Sequence, residues 1–396
     1  MILVIIAGIL FLNNLNSQEK KAVIPPKKWV RRVIRQPDNP PPYKNYSPGE
    51  IAIGDARNDG VQRLYCANLN KDVVEYSWEN GNWVPRVIAP NIDLTGMVIG
   101  KARANDNLNR IYTYRSKGDR KLYEISYENG SWVIREIQLP SQISHPIHGI
   151  LTGDGRNDGI NRLYLGTFNW KSYELRYNGE NWVLESVVSE HIKIGALGPG
   201  RNDGINRFYG ISGDSLFEIT YSNGGWQETL IGVWPNPEGL EPVGQFARPH
   251  LFHMGVTGPM IIIKHGLDRI FYSYKYNAST HSWEVTQMIP SFSLRYLYGM
   301  SYGFFQPYDV MQDPRSLLFK KNLYVGAIPE DIPHGDTIYI HEFSYNPSNN
   351  TWTRNTISYI TVAPVAVVCL KCGNIRGKNC IYAIAEDGTI VEISYE

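Results

Sequence analysis

The sequence has no long apolar segment, no excess of charge of either sign and none of the common catalytic signatures. Its longest apolar run, 2–12, is shorter than the about 17–25 residues of a membrane-spanning helix. Lys and Arg total 39 against 38 Asp and Glu, without a basic stripe, so nucleic acid is not an expected partner. GxSxG, HExxH and Walker sequences are missing, and no catalytic residue is assigned. Apolar residues at helical spacing are also scarce, which argues against a helical fold.

The apolar run at 2–12 has the length of the hydrophobic region of a secretory signal peptide. Ser17 is a small residue suited to the position before the cleavage site. We therefore predict a signal peptide over 1–17 and a linker over 18–27. The mature protein is expected outside the cytoplasm (secreted, periplasmic or at the cell surface) with no stable membrane span. An uncleaved membrane anchor is the alternative.

What the sequence does contain is a repeat. GDGRNDGINRLY at 153–164 recurs as GDARNDGVQRLY at 54–65 and GPGRNDGINRFY at 198–209, with a looser copy at 100–112. Each copy precedes an alternating apolar run and a turn followed by Trp. A unit of fixed period is typical of a repeat architecture. The abundance of Tyr (26), Trp (10) and Gly (36) favours short strands and tight turns.

The Trp residues count the units. One marks each unit: Trp29, Trp83, Trp132, Trp182, Trp226, Trp283 and Trp352. Residues 28–34 resemble the end of a unit, and the chain stops on a unit that lacks this end. We therefore predict an all-β fold over 28–396, a seven-bladed β-propeller of four-stranded antiparallel blades, with 28–34 completing the seventh blade and closing the ring. The predicted blades lie near 51–90, 97–140, 148–189, 194–232, 248–290, 298–357 and 364–396.

The third unit shows the expected strands of a blade, from innermost to outermost: 148–152, 162–167, 172–177 and 182–188. Asn-Gly or a close variant joins the last two, because such residues accept the positive φ of tight hairpins. Asn and Asp of the RNDG loop are expected to cap the first turn. Glu recurs in the third strand, at Glu75, Glu124, Glu174, Glu218, Glu342 and Glu392. We expect it to pair with the Arg of the second strand and to be structural, since it is present in nearly every unit.

Two of the four cysteines are predicted to form a disulfide. Aligning NCIYAI (379–384) with NRLYLG (161–166) puts Cys380 at the position of Arg162 and Cys372 at that of Asp154. Those positions are expected to face each other across the first hairpin, so we predict a disulfide between Cys372 and Cys380, which a secreted chain permits. Buried thiols, or a pair between Cys66 and Cys369, are the alternatives.

The repeated loop resembles the loops of integrin-type (FG-GAP) propellers, and the Asn-Gly turn before Trp resembles the blades of secreted lectin-like propellers. The first resemblance implies calcium, and the second implies recognition of glycans or protein surfaces without a prosthetic group. The loop departs from the calcium pattern at Arg57, Arg156 and Arg201, where that family offers oxygen ligands. We therefore expect no cofactor, with calcium as the open alternative.

The variable connections are expected on the side of the disc opposite to the stereotyped loops. They carry the candidate ligand-binding residues Trp170, His191, Trp234, Glu238, Arg248, His250, Arg295, Tyr298 and His334. Loops on a rigid scaffold are where binding groups usually lie, and aromatic residues and Arg commonly anchor interfaces. We predict a secreted or surface-exposed module that binds carbohydrate or protein there. The alternative functions are a polysaccharide lyase or hydrolase and a structural part of an extracellular assembly. An alternative role for Trp234 and Tyr298 is to close the mouth of the central channel.

Overall fold

The computed structural model describes residues 28–35, 51–67, 71–92, 95–104, 106–115, 120–233, 250–253, 259–264, 271–287, 294–303, 322–329, 337–346, 349, 351–361, 367–385 and 388–396. The predicted signal peptide and linker lie outside these residues. Within them the regular structure is entirely β-strand. The described part of the chain holds no helix that could cross a membrane.

The strands form seven four-stranded sheets, numbered here in chain order. Sheet 1 contains β2 (Ala52–Gly54), β3 (Arg63–Ala67), β4 (Val73–Glu79) and β5 (Asn82–Ala89). Sheet 2 contains β6 (Gly96–Gly100), β7 (Arg110–Tyr114), β8 (Leu122–Glu128) and β9 (Ser131–Ile137). Sheet 3 contains β10 (Ile147–Gly153), β11 (Arg162–Thr167), β12 (Ser172–Tyr177) and β13 (Trp182–Ser189). Sheet 4 contains β14 (Lys193–Gly198), β15 (Arg207–Ser212), β16 (Ser215–Ser222) and β17 (Gly225–Val233).

Sheet 5 contains β18 (His250–His253), β19 (Pro259–Lys264), β20 (Phe271–Asn277) and β21 (Ser282–Gln287). Sheet 6 contains β22 (Leu294–Gly303), β23 (Asn322–Pro329), β24 (Thr337–Asn346) and β25 (Thr351–Thr361). Sheet 7 contains β26 (Val367–Asn374), β27 (Asn379–Ala385), β28 (Ile390–Tyr395) and the first described strand, β1 (Trp29–Arg35). Neighbouring strands in each sheet are antiparallel. The prediction of an all-β fold built from four-stranded antiparallel sheets is confirmed.

The hydrophobic core lies between neighbouring sheets. Leu163 on β11 is opposite Leu175 on β12, and both side chains are fully buried. They share one cluster with Tyr112 and Leu122 of sheet 2. Since side chains alternate between the two faces of a strand, the apolar positions of both faces are covered by the adjacent sheets. The blades therefore stabilise one another rather than folding around separate cores.

The first and last described strands pair directly. Trp29 lies opposite Tyr395 and Arg32 opposite Glu392 in an antiparallel ladder. The Arg32 side chain donates hydrogen bonds to Glu392 at 3.3 Å and to Glu396 at 2.7 Å. A segment some 360 residues away in sequence thus supplies the outer strand of sheet 7.

The predicted disulfide is wrong. Gly373, and not Cys372, lies opposite Cys380, just as Gly153 lies opposite Arg162. Successive side chains of a strand point to opposite faces, so Cys372 and Cys380 lie on different faces of sheet 7. Asp154, the position with which Cys372 is aligned, is likewise not the residue opposite Arg162. None of the three cysteines whose side chains are described, Cys66, Cys372 and Cys380, forms a disulfide, and burial raises the pKa of the Cys380 thiol to about 11.

Candidate functional site

The loops of each sheet leave it on two sides. With the strands of a sheet called A to D from the inside outward, A–B loops and C–D turns emerge on one side, which we call the RNDG face. B–C loops and D–A connections emerge on the other, which we call the opposite face. Contacts between sheets agree with this division, because Arg57 in the A–B loop of sheet 1 lies 4.8 Å from the ring of Tyr127, beside the C–D turn of sheet 2.

The RNDG loop is held closed by its own side chains. The Asp55 carboxylate accepts hydrogen bonds from the backbone N–H of Asp59 at 3.1 Å and of Gly60 at 2.7 Å. Asn58 and Gly60 have φ of 59° and 81°, the left-handed region that Asn and Gly tolerate best. The predicted capping of this turn is confirmed.

Two arginines of each repeat hold two carboxylates. Arg57 donates to both oxygens of Glu75, Nε at 2.9 Å and Nη2 at 2.5 Å, and the Glu75 side chain is fully buried. Arg63 on β3 donates to both oxygens of Asp59 at 2.8 and 2.7 Å. This hydrogen bonding lowers the pKa of Asp59 to about 2. Arg63 also pairs with Glu75, at 3.8 Å, and the equivalent pairs of sheets 2 to 4 lie at 3.2–3.6 Å. The expected pairing of strand-B Arg with strand-C Glu is therefore present, and the loop Arg, which the prediction did not include, is the closer partner.

The arginines of the A–B loops also join one sheet to the next. The guanidinium lies 4.0–4.8 Å from an aromatic ring of the following sheet, a distance at which cation–π attraction operates. The pairs are Arg57–Tyr127, Arg103–Tyr177, Arg156–Tyr221, Arg201–Tyr276 and Arg376–Trp78. The last pair joins sheet 7 to sheet 1. The repeated arginines therefore contribute to packing between sheets.

Asparagines add a second connection between adjacent RNDG loops. Asn58 accepts a hydrogen bond from the backbone N–H of Asn109 at 2.7 Å and donates to its carbonyl at 3.1 Å. Asn157 and Asn206 repeat both contacts between sheets 3 and 4, at 2.6 and 3.0 Å. The loop differs from a calcium loop in its structure as well as in its sequence, because the Asp and Asn oxygens already accept hydrogen bonds from the protein. In the part of the chain that the structure describes, no three His, Cys, Asp or Glu side chains form a group able to hold a metal ion.

On the opposite face, the B–C loop of sheet 3 contacts sheet 4 through Trp170. Trp170, in the B–C loop of sheet 3, has a left-handed φ of 68°, a strained conformation for a bulky residue. Its indole packs against the apolar cluster shared by sheets 4 and 5. The Lys193 ammonium lies 4.3 Å from the ring centroid, and Lys193 is buried. The packing and the cation together hold the indole in place and offset the backbone strain.

Phe168 lies on the same B–C loop as Trp170, and His191 lies two residues before Lys193. Phe168 is 51% exposed and lies edge-on to His148 with centroids 4.8 Å apart. The His191 side chain is 59% exposed, lies 3.3 Å from a Glu228 carboxylate oxygen and meets Phe217 edge-on. We call Phe168, Trp170, His191 and Lys193 the Trp170 patch. It combines exposed aromatic surface with polar groups, the composition found where proteins bind partners.

Of the nine residues predicted to bind a ligand, the structure describes the side chains of two, Trp170 and His191, both in loops of the opposite face. Trp234, Glu238, Arg248 and His334 lie outside the described residues. His250, Arg295 and Tyr298 are described as strand backbone only, in β18 and β22. These seven assignments stay predictions.

Sequence reasoning missed Phe168 and Lys193. The signal for Lys193 is a lysine in an innermost strand, where Ile147 stands at the start of the equivalent strand of sheet 3. Phe168 lies in the short segment TFNWKS, in which only Trp170 was predicted to bind a ligand. Neither residue belongs to the repeated motif, so the repeat could not reveal them.

The fold defined by these sheets is that of a β-propeller. The BBS1 N-terminal domain, solved in complex with ARL6, is similar, with a TM-score of 0.55 and 14% identity, covering 89% of this chain and 93% of that one. The N-terminal domain of Nup159 is also similar, with a TM-score of 0.51 and 10% identity, covering 93% of this chain and 96% of that one. At such identities the likeness concerns the fold alone. No family model matches the sequence, and no curated protein matches it.

Proposed function

We propose that the chain is a closed seven-bladed β-propeller that acts outside the cytoplasm as a binding module for a protein partner, which docks on the Trp170 patch. The closed ring is supported by the pairing of β1 with β28 and by contacts of sheet 7 with sheet 1. In the latter, Tyr382 and Trp83 meet edge-on with centroids 5.9 Å apart. Propellers commonly serve as rigid carriers of variable loops.

The observation that carries the binding proposal is the contrast between the two faces. On the RNDG face the repeated Arg, Asp, Glu and Asn side chains are engaged in contacts within and between sheets. On the opposite face an indole is presented from a left-handed loop residue, beside a half-exposed Phe168. Large aromatic side chains in a fixed position supply much of the binding energy of protein interfaces. We propose a protein partner on this contrast; the BBS1 domain, which has a similar fold, was solved with a protein, ARL6.

The polar contacts beside the patch indicate a partner surface that is apolar at its centre. Lys171 pairs with Glu190, and His191 lies 3.3 Å from a Glu228 carboxylate oxygen, so both carboxylates have a partner within the protein. Such a rim contributes orientation more than affinity. The central contact then rests on Phe168 and Trp170.

The test uses the purified full chain on an array of extracellular proteins and glycans. A bound protein should lose affinity about 30-fold or more when Trp170 or Phe168 is replaced by Ala, as for an interface anchor worth about 2 kcal/mol. Leu108→Ala is the matched control, since Leu108 is 44% exposed on the RNDG face. Binding that depends on Leu108 and not on Phe168, or binding to glycans alone, would contradict the proposal. Phe168→Ala is the decisive variant, because the exposed ring contributes little to the core and its removal should leave the fold intact.

A further inference from the structure

Three N-glycosylation sequons occupy the same turn of three different sheets. The acceptor sequence is Asn-X-Ser/Thr, with X other than Pro. It stands at Asn129–Ser131, Asn277–Ser279 and Asn349–Thr351. These are the C–D turns of sheet 2 (β8 to β9), sheet 5 (β20 to β21) and sheet 6 (β24 to β25). A fourth sequon, at 45–47, lies outside the described residues.

The side chains of these turns are accessible to a glycan. Asn129 and Asn349 are exposed, and the Thr351 hydroxyl donates to the Asn349 carboxamide oxygen at 2.6 Å. Asn277 is half-buried, and its Nδ2 donates to Glu284 at 2.6 Å. A glycan replaces one of the two N–H bonds of the carboxamide, so Asn277 keeps one N–H for Glu284. None of the three positions requires the fold to open.

The turns share the RNDG face. Tyr127, two residues before Asn129, lies under Arg57 of the preceding A–B loop at 4.8 Å. Tyr276, next to Asn277, lies under Arg201 at 4.7 Å. Trp352, after Asn349, lies opposite Tyr345 in the same register as Trp283 opposite Tyr276. Glycans at these turns would shield the RNDG face and leave the opposite face open.

We propose that Asn129, Asn277 and Asn349 carry N-linked glycans, which restrict docking to the face of the Trp170 patch. The co-reactant is a polyprenyl-diphosphate oligosaccharide. The bond between the sugar C1 and the carboxamide nitrogen forms, and the bond between C1 and the phosphate oxygen breaks. The polyprenyl diphosphate leaves, and the nitrogen loses one proton. This inference rests on the extracytoplasmic location proposed above.

The test expresses the full chain in eukaryotic secretory cells, once with its own N-terminus and once behind a heterologous leader. Glycopeptides are mapped by mass spectrometry with and without peptide N-glycosidase. We expect glycans at the three turns of the exported chain and the loss of one glycan from each of Asn129→Gln, Asn277→Gln and Asn349→Gln. Failure of export with its own N-terminus alone would refute the location, while occupancy behind the heterologous leader reports on the sequons separately.

The chain provides a matched control. The turn of sheet 1, Asn80-Gly81-Asn82, has the same shape as that of sheet 2, with φ of 48° and 83° against 49° and 84°, but lacks the hydroxyl residue. Asn82→Ser completes a sequon there, and we expect a new glycan at Asn80. The three native turns found empty behind the heterologous leader would overturn the inference, whether or not the new sequon is used.

Discussion

Arg57 offers the sharpest test of the energetics, because the same sheet contains a second bidentate Arg–Glu pair that differs in burial. Arg57 holds the fully buried Glu75, whereas Arg86 holds Glu79 at 2.6 Å through both nitrogens with the two side chains 39% and 40% exposed. Replacing either arginine by Ala removes two charge-assisted hydrogen bonds. Only Arg57→Ala leaves a buried carboxylate behind.

The expected costs follow from that difference. Removing one partner of a buried ion pair costs about 3–5 kcal/mol. Glu75 would keep the Tyr65 and Ser77 hydroxyls, at 3.1 and 3.2 Å, which points to the lower end, about 3 kcal/mol. The lost stacking on Tyr127 adds about 0.5–1 kcal/mol. Arg86→Ala should cost less than about 1 kcal/mol, since exposed pairs are screened by water.

Urea unfolding followed by tryptophan fluorescence measures both variants. The comparison is made at unchanged slope m, so that a shift of the midpoint reports stability. A double variant, Arg57→Met with Glu75→Leu, should recover most of the loss because no unpaired charge is left. Equal costs for Arg57→Ala and Arg86→Ala would refute the reasoning, because geometry and not burial would then set the strength of these pairs.

Three further outcomes are expected. Burial lowers the pKa of His341 to about 4. In the unfolded chain His341 binds a proton at a higher pH than in the folded chain, so the free energy of unfolding should fall as pH drops from about 6.5 toward 4. Urea titrations of His341→Phe should lack this part of the pH dependence. Deleting residues 1–35 removes β1 and bares the edge of β28, so light scattering should detect aggregation; a truncated protein that melts like the full chain contradicts this. In Gly210→Ala the new Cβ would lie 2.8 Å from the Lys193 carbonyl oxygen, and melting should show a loss of about 1–3 kcal/mol. Gly225→Ala, with only Gln227 at 3.8 Å, is its control.

Much of the architecture is readable from the sequence because the repeat is local. The Asn-Gly turns place left-handed residues such as Asn80 and Gly81 where a hairpin needs them, and the Trp after each turn marks the outer strand. The third unit illustrates the accuracy: strands expected at 162–167 and 172–177 lie at Arg162–Thr167 and Ser172–Tyr177. The repeat period, the turn residues and the alternation of apolar and polar residues depend on residues close in sequence, and these determined where the strands lie.

Contacts between strands and sheets were decided only by the tertiary structure. The closer partner of Glu75 is a loop arginine 18 positions away, chosen by how the A–B loop folds over the sheet. Cys372 is adjacent in sequence to Gly373, the residue opposite Cys380, and so lies on the other face of the sheet, because side chains alternate along a strand. In the Trp170 patch, Trp170 of one sheet contacts Lys193 of the next. Such groupings depend on how neighbouring sheets stack, and no periodicity within the chain encodes them.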